Sequence, residues 1–268
     1  MVLEVQICTY GIDGLARVSV MRLPAVPDVL YTVCLQNPSK EKYIIPEALM
    51  REDVRILEHE SVGLSNNRNF GINNSVGDII LIADDDLNYE AEGLKAVIET
   101  FERHPELDFA TFRHTGGDKK IFPEKEFDFS RKEPKGYYLT SFELALRKNS
   151  IPEQIRFSVH LGIGAANFGA SEEGVFLLRL IRSGLTGAFF PIDIVEHVGK
   201  TTGSRKPSCL FLRALGAYFW IRYGWVEGLA RLVKNSFRYN HSYLKNLLNL
   251  LNGFVRAHYY FHKDGSDR

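Results

Sequence analysis

The sequence has few cysteines and lacks any long, uninterrupted apolar run. Its three cysteines are Cys8, Cys34 and Cys209, and an odd number at such distant positions fits neither a disulfide framework nor a zinc cluster. A reducing, cytoplasmic compartment is the simplest prediction. A membrane-spanning helix needs about 20 predominantly apolar residues, and beyond residue 206 charged residues interrupt every candidate. The sequence therefore predicts no membrane span.

Low-complexity sequence is missing too, and the first residues do not resemble a secretion signal. The opening stretch, MVLEVQICTYG, has no basic segment followed by a long apolar one, so we expect no signal peptide. The chain has 268 residues, of which 45% are apolar and 12% aromatic, and this suffices for a sizeable core. We expect one large domain, or one domain with an appendage.

The net charge is zero, but the charges are divided unevenly along the chain. Residues 200–268 contain 12 Lys and Arg against three acids, a balance of +9, which leaves −9 for residues 1–199. Such asymmetry is typical of a basic segment that meets an anionic surface. The alternative is that the two parts of the chain neutralise each other.

Short apolar segments alternate with helix-like segments in the first part of the chain. Those that read as strands are residues 2–8, 29–35, 54–59, 78–83 and 107–112. Helical periodicity covers residues 64–74 and 91–103, and His104-Pro105 ends the second helix. This alternation predicts an open α/β sheet of mostly parallel strands with crossover helices.

Three consecutive aspartates, Asp84, Asp85 and Asp86, follow the apolar segment IILIA. Ligands of open α/β sheets bind outside the carboxyl ends of the strands, where Thr9-Tyr10 and Gln36-Asn37 would also lie. Crowded carboxylates repel one another unless a cation holds them, and Mg²⁺ and Mn²⁺ prefer oxygen ligands. The pattern therefore predicts a divalent metal site, with an acidic turn or helix cap as the alternative.

The stretch SVGLSNNRNFGINNSVGDIILIADDDLNY resembles the family-2 glycosyltransferases of GT-A type. In that family a G-x-x-x-x-R-N-x-G segment precedes G-D-x-I-x-h-x-D-x-D. The matching residues are Gly63, Arg68, Asn69, Gly71, Gly77, Asp78, Asp84 and Asp86. The likeness extends from Gln6 to His197, and the order and spacing of the motifs together make it specific. It implies a GT-A type, Rossmann-like domain.

On the nucleotide side, the resemblance implies a role for residues after the first two strands and in the Arg-Asn motif. Thr9 and Tyr10 would border the base, and Arg68 would face the base or the diphosphate. Many relatives have an acidic D-D-G-S segment after the second strand, where this chain has Gln36-Asn37-Pro38-Ser39. Amides would therefore replace a carboxylate in contacting the base.

On the metal side, the resemblance implies that Asp86 is the direct ligand of Mn²⁺ or Mg²⁺ in a DXD motif. Asp84 would approach the ribose or the metal, and Asp85 could share either role. His197 lies near the position of a metal-ligating histidine in relatives, although a lone histidine is more often structural. Gly199 to Arg205 has the composition of a mobile loop that closes over phosphates.

The segment of residues 160–184 has a glycine-containing loop followed by a helix start. The family pattern there is an acidic pair and an Arg two turns on, which Glu172, Glu173 and Arg179 match. The resemblance implies that Glu172 and Glu173 are the catalytic acids, with Glu173 as the base that deprotonates the acceptor. For the two glutamates alone, favourable charge in the first turn of a helix is the alternative.

The composition changes beyond residue 206, so we predict a GT-A type domain at 1–205 and a basic, amphipathic helical extension at 206–268. Leucines and a valine at helical spacing predict one apolar face, with Lys245, Asn246, Asn249 and Asn252 away from it; the face consists of Leu244, Leu247, Leu248, Leu251 and Val255. Such helices can lie in a bilayer interface. The alternatives are packing on the catalytic domain or on a second subunit.

Together with the acidic triplet, the resemblance implies a metal-dependent, inverting glycosyltransferase. Its donor would be a nucleotide sugar, most commonly UDP-linked in the family, and its acceptor a saccharide or lipid-linked saccharide in surface glycan synthesis. We expect it in the cytoplasm, or peripherally on the inner face of the cell membrane, with a homo-oligomer left open. No reader motif accompanies the basic residues, so we expect no nucleic-acid partner. The alternatives are a metal-dependent phosphohydrolase and a non-catalytic nucleotide-sugar-binding protein.

Overall fold

The structure is a computed structural model that describes residues 1–117, 120–130, 133–199, 208–238 and 243–262. Within these residues the strands are β1 (Leu3–Tyr10), β2 (Val29–Gln36), β3 (Val54–His59), β4 (Ile79–Asp84), β5 (Leu87–Asn88), β6 (Phe109–Gly116), β7 (Phe127–Asp128), β8 (Leu144–Arg147) and β9 (Gly187–His197). The α-helices are α1 (Gly11–Ser19), α2 (Leu64–Asn74), α3 (Ala91–Arg103), α4 (Glu172–Arg182), α5 (Cys209–Ser236) and α6 (Tyr243–His262).

The strands of the described residues form one mixed sheet. Its order is β3-β2-β1-β4-β8-β6-β9-β5, and β7 pairs with β9. The first four strands in this order run parallel to one another, and β6 runs parallel to β9. Between the two parallel groups, β8 runs antiparallel to both neighbours. The predicted α/β class with a mostly parallel sheet is confirmed.

Two apolar layers cover the two faces of the sheet, because successive side chains of a strand point to opposite faces. On β4, Ile79 and Leu81 pack in the layer that includes α1 and α3, whereas Ile80 and Ile82 pack in the layer with α2 and α4. A central strand buried on both faces explains why IILIA is continuously apolar.

The carboxyl ends of the parallel strands meet at one edge of the sheet. In the strand register, Cys8 of β1 pairs with Asp84 of β4, and Tyr10 of β1 pairs with Gln36 of β2. This register brings three of the predicted site segments together, as the sequence leads one to expect for an open α/β sheet.

The C-terminal helices pack directly on the rest of the chain. Arg182 of α4 donates from Nη2 to the carbonyl of Ile221 at 2.6 Å, and Arg222 forms an ion pair with Glu133. Helix α5 is kinked at Gly224, which has a φ of 69°. The predicted boundary between residues 205 and 206 lies outside the described residues, so the division into two domains stays a prediction.

The predicted apolar face of α6 is partly exposed and partly packed. Leu244, Leu248 and Val255 are 61%, 58% and 46% exposed, whereas Leu247 and Leu251 are partly buried against the cluster that contains Leu250 and Phe254. Asn246, predicted to lie away from the apolar face, is buried and donates from Nδ2 to the carbonyl of Ser236 at 3.1 Å. The buried face consists of Asn246, Leu250, Gly253, Phe254, Ala257 and Phe261.

Close backbone approach explains which face of α6 is buried. A Cβ at Gly253 would overlap the backbone oxygen of Arg213, and one at Gly216 would overlap that of Leu250. Glycines therefore set the closest contact between α5 and α6, and the exposed Leu244 and Leu248 remain outside it. No helix in the described part of the chain is long and apolar enough to cross a bilayer.

Candidate active site

A cavity of about 640 Å³ opens at the carboxyl edge of the sheet. Its wall is formed by the ends of β1, β2 and β4, the starts of α2 and α4, the turn at Thr140 to Phe142, and Phe211 of α5. The predicted site residues that line it are Thr9, Tyr10, Gln36, Arg68, Asp84, Asp85, Asp86, Glu172, Glu173 and His197. The structure thus brings nearly all of them together.

The Gly-Arg-Asn motif shapes the start of α2. Gly63 precedes the helix with a φ of 102°, a conformation that favours glycine. The Asn69 side chain donates to the backbone carbonyl of Phe157 at 2.9 Å and accepts from the backbone amide of Phe157 at 2.8 Å. The Arg68 guanidinium lies 5.3 Å from the centre of the Phe157 ring. A Cβ at Gly71 would overlap the side chain of Gln6. Each motif residue therefore has a packing or bonding role next to the cavity.

Each aspartate of the triplet has a different partner. Asp84 Oδ1 accepts from Arg68 at 2.9 Å, while Asp85 Oδ2 accepts from Thr9 at 2.5 Å and from Arg17 at 2.8 Å. Asp86 is the most solvent-accessible of the three, and its Oδ2 lies 3.3 Å from His197 Nε2. Separate partners for each aspartate thus offset the repulsion among adjacent carboxylates.

Arg68 connects two sides of the cavity. It is fully buried, its Nη1 lies 3.0 Å from Glu172 Oε1, and its Nη2 donates to Asp84 and to Ser141 Oγ, the latter at 2.7 Å. Burial disfavours its charge, but Asp84 and Glu172 raise the pKa of Arg68 above its ordinary value. The guanidinium is therefore charged and bound to two carboxylates.

The acidic pair at the start of α4 is split between two roles. Glu172 is buried and bound to Arg68, whereas Glu173 lines the cavity without an ion pair among the described residues. Burial, together with the negative charge of Glu172, raises the pKa of Glu173 to about 8. Ser171, just before the helix, has a φ of 67°, a costly conformation that clusters at functional sites.

His197 and Asp86 meet where β9 and the turn after β4 come together. The His197 ring is buried and stacks on Phe142, with ring centres 5.4 Å apart and planes within 7°. Its hydrogen bond with Asp86 raises the pKa of His197 above the ordinary value, although burial works against this. The imidazole is thus fixed in place with one nitrogen next to a carboxylate.

These residues fit a divalent ion that takes part of its shell from the substrate. Among the described residues, no three His, Cys, Asp or Glu side chains converge closely enough to hold an ion alone. Mg²⁺ is commonly held by one or two carboxylates together with substrate phosphates and water. Asp86 and His197, next to Asp84, supply a donor set of that kind.

The two amides predicted to contact the base are placed differently. Gln36 lines the cavity and donates from Nε2 to the carbonyls of Ser61 and Gly63, at 2.7 and 3.1 Å. Asn37 is buried outside the cavity wall, where its amide bonds to Glu41 and Glu58. The structure therefore does not bring Asn37 together with the other predicted residues. Residues 200–205 of the predicted closing loop lie outside the described residues.

Three cavity residues were not anticipated from the sequence. Arg17 binds Asp85, and Ser141 bonds to Arg68 and Asp84. Asn67 donates to the carbonyls of Thr9 and Cys34 at 3.0 and 2.9 Å, and so ties α2 to the ends of β1 and β2. Asn67 lies within the G-x-x-x-x-R-N-x-G segment, so this motif could have indicated that it belongs to the site. Arg17 and Ser141 lie far from any motif.

Part of the chain matches a family model, and the fold is similar to that of solved structures. Residues 40–160 match the model of glycosyl transferase family 2, and no curated protein sequence matches the chain. The crystal structure of S. aureus TarS 1–349 is 13% identical with a TM-score of 0.56, over 98% of this chain and 73% of that one. TarS 1–349 in complex with UDP-GlcNAc is 14% identical with a TM-score of 0.56, over 97% and 73%. At such identities the likeness concerns the fold. The matched segment of residues 40–160 and the α/β fold, which is similar to that of the TarS structures, both agree with the family-2, GT-A type motifs of the sequence.

Proposed function

We propose that the chain transfers a sugar from a UDP-linked donor to a saccharide or lipid-linked saccharide acceptor in surface glycan synthesis. The observation that carries this proposal is the arrangement around Arg68, which holds Asp84 on one side of the cavity and Glu172, next to Glu173, on the other. A donor lying across the cavity would meet both sides. The UDP and UDP-GlcNAc complexes of TarS, which shares the fold, support this class of donor.

We propose that Asp86 binds Mn²⁺ or Mg²⁺, with Asp84 and His197 beside it. Carboxylate oxygens and a neutral imidazole suit such an ion. When bound, it would stabilise the negative charge that develops on the departing diphosphate. Phe142 keeps the His197 ring in place by stacking, and Arg68 keeps Asp84 oriented by its hydrogen bond.

We propose that Glu173 is the general base. Its carboxylate takes the proton of the acceptor hydroxyl while the hydroxyl oxygen attacks the anomeric carbon. The bond from that carbon to the diphosphate oxygen breaks, and its electron pair leaves with UDP. Attack from the face opposite the leaving group inverts the anomeric configuration. A general base works best when its pKa lies near the operating pH, because it is then both substantially deprotonated and strongly basic. Burial raises the pKa of Glu173 to about 8, which lies in this range.

Release of UDP from UDP-sugars by the full chain tests the proposal. We expect release that requires Mn²⁺ or Mg²⁺ and increases with a saccharide acceptor. Glu173→Gln should lose turnover by roughly 10²- to 10⁴-fold and retain UDP binding. Equal turnover by Glu173→Gln would exclude this base. Hydrolysis of p-nitrophenyl phosphate, without release of UDP from any sugar donor, would favour the phosphohydrolase alternative instead.

We also propose that the protein works peripherally at the inner face of the cell membrane. A lipid-linked acceptor is held at that surface, and anionic lipid attracts basic segments. The described residues of α5 and α6 and their junction contain seven Lys or Arg and one acid, Glu227, which supports this location.

A further inference from the structure

The second half of α5 exposes an apolar stripe to solvent. Val226, Leu229, Val233 and Phe237 follow one another at spacings of three and four residues, which places them along one side of the helix. All four are exposed, Phe237 at 70%. Gly228, Leu232 and Ser236, which lie about a quarter turn around the helix from the stripe, are buried against the rest of the chain. The stripe is therefore separate from the packed face.

The apolar stripe of α6 continues from the same place. The Phe237 and Tyr243 rings stack with centres 4.3 Å apart, and Leu244 and Leu248 follow one turn apart on the exposed side. Val233 lies one turn before Phe237, and the Phe237 ring stacks on Tyr243. Leu244 follows Tyr243 in the sequence, and Leu248 lies one turn beyond Leu244. We call this surface the junction patch; it consists of Val233, Phe237, Tyr243, Leu244 and Leu248.

Cations border the junction patch. Lys234 and Arg238 adjoin Val233 and Phe237 on α5, and Lys245 follows Leu244 on α6, all three exposed. The single acid in the described part of these helices, Glu227, is paired with Arg231 at 2.7 Å. The junction patch is therefore an apolar centre, rich in aromatic rings, with a positive border.

We propose that the junction patch docks on an anionic lipid bilayer. Apolar side chains enter the boundary between headgroups and acyl chains, Lys and Arg meet anionic headgroups, and aromatic rings suit the interface. Charge favours this occupant over a second copy of the chain. A two-fold interface through this surface would set Lys234, Arg238 and Lys245 against the same cations of the other copy.

The same helix connects the junction patch to the cavity. Phe211 in the first turn of α5 lines the cavity, while Val233 lies near the end of that helix. Docking through the junction patch would hold the chain at the surface where a lipid-linked acceptor is found. Only this benefit to a lipid-linked acceptor rests on the proposed function, because binding of the junction patch to lipid requires no sugar transfer.

Sedimentation of the full chain with vesicles tests the proposal. We expect it to bind vesicles of phosphatidylcholine with phosphatidylglycerol, to bind pure phosphatidylcholine much less, and to be released by salt. The double variants Phe237→Ser with Leu244→Ser and Lys234→Gln with Lys245→Gln should each lower the partition coefficient by about tenfold or more. Matched controls elsewhere, Ile121→Ser at a side chain that is 93% exposed and Lys95→Gln on α3, should leave it unchanged.

Two results would overturn the proposal. One is equal binding to both kinds of vesicle, or to neither. The other is a dimer in light scattering that Phe237→Ser with Leu244→Ser dissociates, which would assign the surface to a second copy. The melting temperature of each variant, with and without UDP, separates these outcomes from loss of fold. A junction patch that fails to bind lipid while UDP still stabilises the chain would leave the glycosyltransferase proposal standing.

Discussion

Arg68 Nη1 lies 3.0 Å from Glu172 Oε1, and this buried ion pair joins α2 to α4, the helix that carries the proposed base. The two residues are 104 positions apart in sequence. The same guanidinium binds Asp84, so the relative position of both sides of the cavity depends on one side chain.

Replacing Arg68 should strongly destabilise the fold. Arg68→Ala leaves Asp84 and Glu172 without their cation, and breaking a buried pair by removing one partner costs about 3–5 kcal/mol. Urea denaturation of the variant measures this loss. Arg17→Ala is the matched control, since its pair with Asp85 is half exposed and should contribute at most about 1 kcal/mol. Equal losses for the two variants would contradict the role given to Arg68.

Glu172→Gln should shift the pH profile of transfer. The negative charge of Glu172 helps to raise the pKa of Glu173, so its removal should lower that pKa. The rising limb of kcat/KM against pH, which reports the base of the free enzyme, should move to lower pH. A limb at unchanged pH would mean that Glu173 is not the group that titrates.

Glu173 should make the fold less stable as pH rises from about 4.5 to about 8. The folded state holds the Glu173 proton more tightly than the unfolded chain, because burial raises the pKa of Glu173 from its ordinary value of 4.5 to about 8. Unfolding in this range therefore releases a proton, and stability falls with rising pH. The free energy of unfolding at both ends of the range, compared between wild type and Glu173→Gln, isolates this group. The same pH dependence in both proteins would contradict the raised pKa.

The close contact between α5 and α6 should not accept a side chain. Gly253→Ala would place a methyl group against the backbone oxygen of Arg213, and overpacking of this kind costs about 1–3 kcal/mol. A lowered melting temperature checks this. Asn252→Ala, at an exposed position of the same helix, should have little effect, and a similar drop in both would contradict the packing described.

Hydrophobic periodicity was enough to predict the central strands and two helices. β1, β2 and β4 are buried strands with clear apolar runs, β3 is a half-buried edge strand, and α2 and α3 occupy the predicted residues. β8 was missed because a four-residue strand within a long connection has no distinct pattern. α1 was missed because it starts directly after β1 at Gly11, with a second glycine three residues on, which reads as a turn.

The candidate site was predictable where neighbouring strand ends determine it. Thr9, Gln36 and the aspartates meet because parallel strands end at one edge. Contacts between distant segments, such as Ser141 with Arg68, follow from tertiary packing and leave no local pattern. The buried side of α6 could not be predicted for the same reason, because it depends on the packing of Gly253 against α5, whereas Leu244, Leu248 and Val255 lie on the exposed side.

We propose that the aspartate triplet binds a divalent ion that in turn binds the diphosphate of the donor. Calorimetric titration of the full chain with UDP, with and without Mn²⁺, is the most direct test of this role. We expect binding that is at least about tenfold tighter with Mn²⁺, and loss of this difference in Asp86→Asn. Equal affinity with and without the ion, or an undiminished effect of Mn²⁺ in Asp86→Asn, would contradict it.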